Sequence, residues 1–453
     1  MPGRRRATIL VALAAFAIGV LLVADRSAPI GVSMMALLIP PVAWISLARD
    51  ETRGARVDVR LVVALIAILM VLAVVLPPRS SRDVWSYVMY GRMVSEHSAS
   101  PYSHVPGDFP HDPFLQQVGS GWRHTSSVYG PVFIAVSAVG SGIAGDSTLA
   151  ARLFQQLLAA GAVSAALVLV WRHSRSPAAL ALLGLNPIMI GSIVNGGHND
   201  ALVGLGVLAA TLLTMRRRVF AAGAVLALAV LIKVTALLAL PALVLWTGFH
   251  FGRRSWLRLM ITTAGLVTAG YAVAGPEALR ALNTNRALLS RASLWQLAPR
   301  SLAPALGMSR SGWLGLLSMI SLTAIGIVVL ATAWWRRKDL DPVSTVALAL
   351  GAFLVIAVYV LPWYVAWMLP VACIVRRPMM RAFVATVGTF LPMVYAAKFR
   401  ALPTGVGWGW RAFGSNIGPI LVLGLFSLLV VRTGRRAVSV IPARGEERNA
   451  SPQ

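Results

Sequence analysis

Asp83 opens the segment R-D-V-W-S-Y-V-M-Y-G-R-M, in which Asp83, Tyr87 and Tyr90 stand at i, i+4 and i+7. At helical spacing these three share one face, while Val84, Trp85, Val88, Met89 and Met93 gather on the other. A carboxylate on a rigid helix can act as a general base toward a hydroxyl. Asp is also favoured at a helix start, so a capping role fits the same position. The spacing predicts an amphipathic helix lying at a membrane surface, its carboxylate turned away from lipid.

A second group sits in N-G-G-H-N-D-A-L-V-G-L, where His198, Asn199 and Asp200 directly precede an apolar run. Such residues cost free energy at that depth unless they line a polar cavity or pair with one another. Asp200 could equally cap the helix that follows. A single histidine is a weak metal signal, although His198 could meet a phosphate or a metal. Lys233 lies within A-V-L-I-K-V-T-A-L-L and is one of only three lysines. A buried ammonium needs an anion, and Asp200 or a lipid phosphate could supply it. Snorkelling to the interface is the other reading.

The first of these groups opens the longest polar segment of the chain, Arg79 to Pro131. It holds His97, His104, His111 and His124, together with Asp83, Glu96, Asp108 and Asp112. A loop of this length is either functional or disordered, and its many aromatics argue against disorder. Glu96, Asp108 and Asp112 lie among Ser, Pro and Gly, which predicts solvated carboxylates. Farther on, Arg286, Arg291 and Arg300, with Trp295, Trp363 and Tyr364, suit a phosphate-and-sugar site; the aromatics also suit interfacial anchoring.

What must position these groups is a membrane bundle. Of the 453 residues, 57% are hydrophobic and 12% charged, and the mean hydropathy is +0.75. Fourteen apolar stretches have about the length of a bilayer-crossing helix: 7–24, 30–48, 61–77, 147–171, 178–194, 199–215, 219–232, 235–249, 256–274, 312–335, 343–361, 364–375, 380–396 and 416–432. The net charge of +26 arises largely from arginine clusters that fall in alternate loops. Placing Arg4-Arg5-Arg6 inside puts those clusters in the cytoplasm and the Asp83, Asp200 and Lys233 segments outside. This holds if 131–145, short and rich in glycine, is re-entrant or interfacial rather than crossing. A nucleic-acid partner is not needed to explain the charge. The lone Cys373 leaves no intrachain disulfide or cysteine metal site. No P-loop, H-E-x-x-H, G-x-S-x-G or glycine-rich dinucleotide turn occurs, so cytosolic nucleotide chemistry is unsupported.

An acid in the first large outer loop, followed by aromatics and a P-Y, resembles the polytopic GT-C glycosyltransferases. More narrowly, R-D-V-W-S-Y-V-M-Y-G-R, W-R-H-T-S-S-V-Y-G-P, N-G-G-H-N-D-A-L and L-P-W-Y-V-A-W-M-L-P resemble the actinobacterial α-1,6-mannosyltransferases of lipomannan assembly, the MptA/MptB family. The likeness runs from about Leu61 to Arg432. It departs from the family pattern at Ser100-Pro101-Tyr102, where N-P-Y is expected, and at Ser126-Ser127-Val128.

The resemblance implies one all-α integral membrane domain: a GT-C-type bundle of about fourteen helices with a long extracytoplasmic first catalytic loop. Residues 1–60 would add two N-terminal spans, 61–432 form the core and 433–453 a cytoplasmic tail. It implies transfer of mannose from polyprenyl-phosphate mannose to a lipid-anchored mannan acceptor outside the membrane, with inversion. Polyprenyl phosphate leaves without a general acid, so one carboxylate base and cations for the phosphate suffice. By position Asp83 would be the base, supported by Asp200 and His198. Lys233 and the outer-face arginines would meet the phosphate. Tyr87, Tyr90, Arg92, Tyr102, His124, Tyr129, Asn199, Arg286, Arg291, Trp295, Trp363 and Tyr364 complete the expected substrate contacts. No cofactor is expected, although a divalent metal stays open. The same donor class would also serve an arabinosyl or α-1,2-mannosyl transferase. A lipid-linked sugar flippase would instead show charges near the midplane and inverted repeats.

Overall fold

The computed structural model describes residues 2–24, 30–52, 57–79, 81–281, 288–299, 301–335, 337, 341–375, 377–396, 409–410 and 412–433. Arg286, Arg300 and the tail beyond 433 lie outside the described residues. Every regular element among the described residues is helical. The protein is an all-α, multi-pass membrane protein. Among the described residues, seven helical segments are long and apolar enough to cross a bilayer, and a bent pair over 177–194 makes an eighth.

The chain starts with α1 (Pro2–Val23), α2 (Ile30–Thr52) and α3 (Val59–Val75), which pack together. The polar segment follows, beginning with α4 (Asp83–Ser95), and leads into α5 (Pro131–Ala144), a 14-residue helix packed along α4. Their close approach depends on Gly91, where a Cβ would lie 2.3 Å from the Ser137 carbonyl oxygen. The helix α4 does not lie open on a membrane surface as its pattern suggests. Val84, Val88, Met89 and Met93, expected to face lipid, are at most 1% exposed, because α5 and the folded loop enclose that side.

The long α6 (Thr148–Ser174) is capped by Ser147, whose side chain accepts from the Ala150 N–H. Next, α7 (Pro177–Gly184) breaks before Pro187 and continues at 41° as a π-helical turn, Ile188–Val194. Backbone groups at the break are taken up locally. The Trp44 indole donates to the Leu185 carbonyl, and the Asn186 amide reaches the Leu182 carbonyl and the Ile188 N–H. Irregular backbone at membrane depth survives only when satisfied inside the protein in this way.

The remaining helices are α8 (Asp200–Met215), α9 (Val219–Ile232), α10 (Ala239–Phe251), α11 (Arg253–Ala274), α12 (Pro276–Ala281), α13 (Leu302–Ala305), α14 (Arg310–Trp335), α15 (Pro342–Ile356), α16 (Val365–Cys373), α17 (Pro378–Ala396) and α18 (Gly418–Thr433). Several are shorter than the apolar runs that contain them. The run 343–361 reads as one span, yet α15 stops at Ile356. Its end is closed by the segment 288–299: the Trp295 indole donates to the Ile356 carbonyl at 2.5 Å and the Ser293 hydroxyl to Ala357 at 2.9 Å. In addition, the Ser290 N–H donates to the Val358 carbonyl. By contrast α8 and α9 fill their runs, α8 beginning at Asp200 and α9 ending just before Lys233, which brings these two residues to one buried place.

Candidate active site

The residues of the four motifs meet at the junction of α4, the turn before α8, the end of α9 and the start of α16. His198 sits at its centre, fully buried. Its Nδ1 lies 3.1 Å from the Tyr87 hydroxyl, 3.9 Å from Asp83 Oδ2 and 3.8 Å from Asp200 Oδ2. Its ring stacks on Trp363 with centroids 4.3 Å apart. Burial, and then the charge of Lys233, push the imidazole down to about 3, so it is neutral at any physiological pH.

The local chain explains how His198 arrives there. Gly197 adopts φ +62°, which the turn requires, and a Cβ there would press on Val84 and Gln155. Asn195 anchors the same turn. Its amide donates to the Ala73, Leu76 and Pro77 carbonyls and accepts from the Arg79 N–H, while Gln156 binds the Ala73, Leu76 and Asn195 carbonyls. The end of α3 and the N-G-G-H-N-D turn are therefore tied into one unit, immediately before Asp83.

Two carboxylates flank the histidine in different states. Asp200, fully buried, accepts from Lys233 Nζ at 2.8 Å and from the Trp367 indole at 2.6 Å, both on Oδ1. Lys233 also faces the rings of Tyr364 (4.8 Å), Trp367 (5.1 Å) and Tyr129 (5.8 Å). Of the partners open to Lys233 in the sequence, it takes Asp200 and does not snorkel. Asp83, by contrast, keeps 15% of its side chain exposed and has no cation within ion-pair distance among the described residues. Burial raises its carboxyl to about 6, opposed by the Ser81 hydrogen bond and the distant Lys233 charge.

The loop Y-G-P is seated on this cluster by close backbone contact. The Gly130 N–H donates to the Ile232 carbonyl, next to Lys233, and a Cβ at Gly130 would meet the Leu231 oxygen at 2.1 Å. Tyr129 is thereby set edge-on to Tyr87 at 5.0 Å. Burial raises both phenols well above their usual range, so both hydroxyls stay protonated.

Other expected contacts are occupied elsewhere. Arg92 is buried, binding Asp112 at 2.8 Å, Asp146 at 2.9 Å and the Gly145 carbonyl at the end of α5. His97 Nε2 meets the same Asp112 oxygen at 2.8 Å. Asp112, expected to be solvated, is instead 6% exposed; burial would raise it, but hydrogen bonds from Arg92, His97 and the Phe114 N–H carry it below the usual range. This clamp braces the loop. The Tyr90 hydroxyl donates to the Thr125 carbonyl and the Tyr102 hydroxyl to Tyr129, so both hold the loop closed. His124 and Arg291 are exposed at its rim and on the 288–299 segment, respectively. Trp295 serves the end of α15. Asn199 is buried with neither amide atom partnered, as are His198 Nε2 and Asp200 Oδ2. These free polar atoms are suited to substrate hydroxyls or water. Among the described residues, no three His, Cys, Asp or Glu side chains group as a metal site.

Trp367, Gln156 and Asn195 were not singled out from the sequence. Trp367 lies four residues after Trp363 in the quoted L-P-W-Y-V-A-W motif, a spacing that puts both on one helix face.

Comparison with known proteins now places the chain. The sequence profile of the alpha-(1→6)-mannopyranosyltransferase N-terminal domain matches residues 7–249, more than half of the chain. The MptB C-terminal domain matches 300–407. The chain belongs to the MptA/MptB family. Alpha-(1→6)-mannopyranosyltransferase A of Corynebacterium glutamicum is 35% identical over 222 residues, 46% of this chain and 44% of its own length. The Mycobacterium tuberculosis protein of the same name is 28% identical over 372 residues, covering 76% and 69%. A probable alpha-(1→6)-mannopyranosyltransferase of Mycolicibacterium smegmatis is 26% identical over 482 aligned positions, covering 93% and 82%. No solved structure matches the chain. Both family domains carry part of the cluster: the first contains Asp83, His198, Asp200 and Lys233, the second Trp363, Tyr364 and Trp367.

Proposed function

We propose that this protein is a mannosyltransferase that moves mannose from polyprenyl-phosphate mannose to a lipid-anchored mannan, forming an α-1,6 linkage with inversion on the extracytoplasmic face. The relatives' names support mannosyl transfer. The observation that carries the mechanism is the inequality of the two carboxylates: Asp200 is spent on Lys233 and Trp367, while Asp83 is partly open and uncompensated.

Asp83 is the general base. It takes the proton of the acceptor hydroxyl as that oxygen attacks the anomeric carbon from the face opposite the phosphate. The C1–O bond to the phosphate breaks, and the polyprenyl phosphate leaves with the electron pair. A carboxyl near 6 is matched to this task better than an ordinary one. His198, neutral and stacked, fixes the Tyr87 hydroxyl and one wall of the sugar pocket. Asp200 and Lys233 hold each other and the aromatic floor of Tyr364 and Trp367, a surface suited to a sugar ring.

The test is incubation of the purified protein in detergent with labelled polyprenyl-phosphate mannose and a short α-mannoside. Mannose in a lengthened α-1,6 product supports the proposal. Turnover of an arabinosyl donor, with mannose refused, would overturn it.

A further inference from the structure

Behind α4, where the ends of α1 and α3 meet the start of α6, lies a cavity of about 540 Å³. Arg79, Arg82, Arg152, Trp85, Gln117 and Thr148 line it, and no carboxylate appears among its described lining residues. Trp85 follows Asp83 by two residues, about 200° around the helix, so these two side chains leave opposite faces of α4. In the mechanism proposed above the reacting phosphate belongs on the Asp83 side.

Two of its three arginines, Arg79 and Arg152, are held in place by the protein. Arg79 donates to the Val23 carbonyl at the end of α1, at 2.6 Å. Arg152 covers the Val74, Val75 and Leu76 carbonyls at the end of α3. A guanidinium has five donors, so each fork retains capacity for a further acceptor. Arg82 is exposed, and its guanidinium has no partner among the described residues. Thr148 begins α6, whose N-terminal N–H groups add positive potential. Leu149, also lining the cavity, is 55% exposed and offers an apolar wall. The ends of α1 and α3 mark the boundary of the apolar layer, the depth at which phospholipid phosphates lie.

We propose that this cavity binds the phosphate of a membrane glycerophospholipid, with Arg82 as the principal free ligand and Arg79 and Arg152 as its fixed walls. Two sources share that chemistry: the lipid anchor of the acceptor, which rests on the function proposed above, and bulk phospholipid. Either way the site holds an anionic lipid beside the helix that carries Asp83.

The full chain in nanodiscs containing photoactivatable phosphatidylglycerol tests it. Labelling should fall on the peptides around 77–85 and 148–152. Arg82→Glu should cut it about tenfold, and Arg82→Lys should retain most of it. Equal labelling of Arg82→Glu and wild type, or equal labelling by a phosphate-free diacylglycerol probe, would overturn the site. If Arg82→Glu raises KM for a lipid-anchored mannoside but not for a soluble one, the acceptor's anchor is the ligand. If labelling falls and both KM values stand, bulk phospholipid is. Labelling needs no turnover, so a protein that labels normally and transfers no mannose would sink the transferase reading and leave the cavity's role intact.

Discussion

Lys233 Nζ stands 2.8 Å from Asp200 Oδ1, both residues are buried, and the Trp367 indole reaches the same oxygen. The pair joins the end of α9 to the start of α8 and closes the aromatic floor of the site. Removing one member leaves an uncompensated buried charge, worth about 3–5 kcal/mol. Lys233→Met should therefore lower stability by that order, and the double variant with Asp200→Asn should recover much of the loss. Thermal unfolding of the four proteins in one detergent gives the cycle; a Lys233→Met protein as stable as wild type would show that the pair contributes nothing.

Asp83→Asn removes the open carboxylate and keeps its shape. Turnover should drop by roughly 10²–10⁴-fold, the range for a lost general base, with the fold intact. Asp200→Asn should cost less in turnover and more in stability. Initial rates set beside melting temperatures separate the two. A fully active Asp83→Asn enzyme with an inactive, well-folded Asp200→Asn would transfer the role to Asp200.

The pH profile follows from the same carboxyl. Its raised value, about 6, means that the base form dominates above 6, and kcat should fall about tenfold per unit below it. For stability the sign is opposite. The folded protein holds a proton that the unfolded chain has released, so this contribution is present below the ordinary value of 3.8 and is lost as pH rises through about 6. Rates and unfolding midpoints between pH 4 and 8 should thus run in opposite directions in this window, and Asp83→Asn should remove that component of both.

Arg92 and Asp112 brace the loop over the site. Arg92→Met leaves the buried Asp112 with only His97 and the Phe114 N–H, and should destabilise by up to about 3–5 kcal/mol. It should also expose 96–130 to protease while the helices remain protected. Asp112, held low, contributes stability above its ordinary value of 3.8, and that contribution is lost as pH falls through its folded value. An Arg92→Met protein with a wild-type cleavage pattern would remove the clamp from the account.

Gly130→Ala drives a Cβ into the Leu231 carbonyl, a backbone atom that cannot swing aside. A cost of about 1–3 kcal/mol or more is expected, with a displaced Tyr129 and reduced turnover. Gly121→Ala, with open space around the added carbon, is the control and should behave as wild type. Equal melting temperatures for the two variants would contradict the close approach.

The sequence by itself determined the class and the candidates. Long apolar runs can satisfy their backbone in lipid only as helices, and isolated acids, His198 and Lys233 in such runs cannot persist without polar company. The placement of Asp83, Tyr87 and Tyr90 on one face followed from helical period alone. What no local pattern contains is which group meets which across the bundle. The Lys233 partner, the burial of Asp112 by Arg92 and His97, the enclosure of α4, and the indole of Trp367 on Asp200 are contacts between distant segments. Only packing decides them, because a charge takes whichever partner the fold brings within 3 Å. The fold also separated two acids that look alike in sequence, by giving Asp200 a cation and an indole and leaving Asp83 with neither.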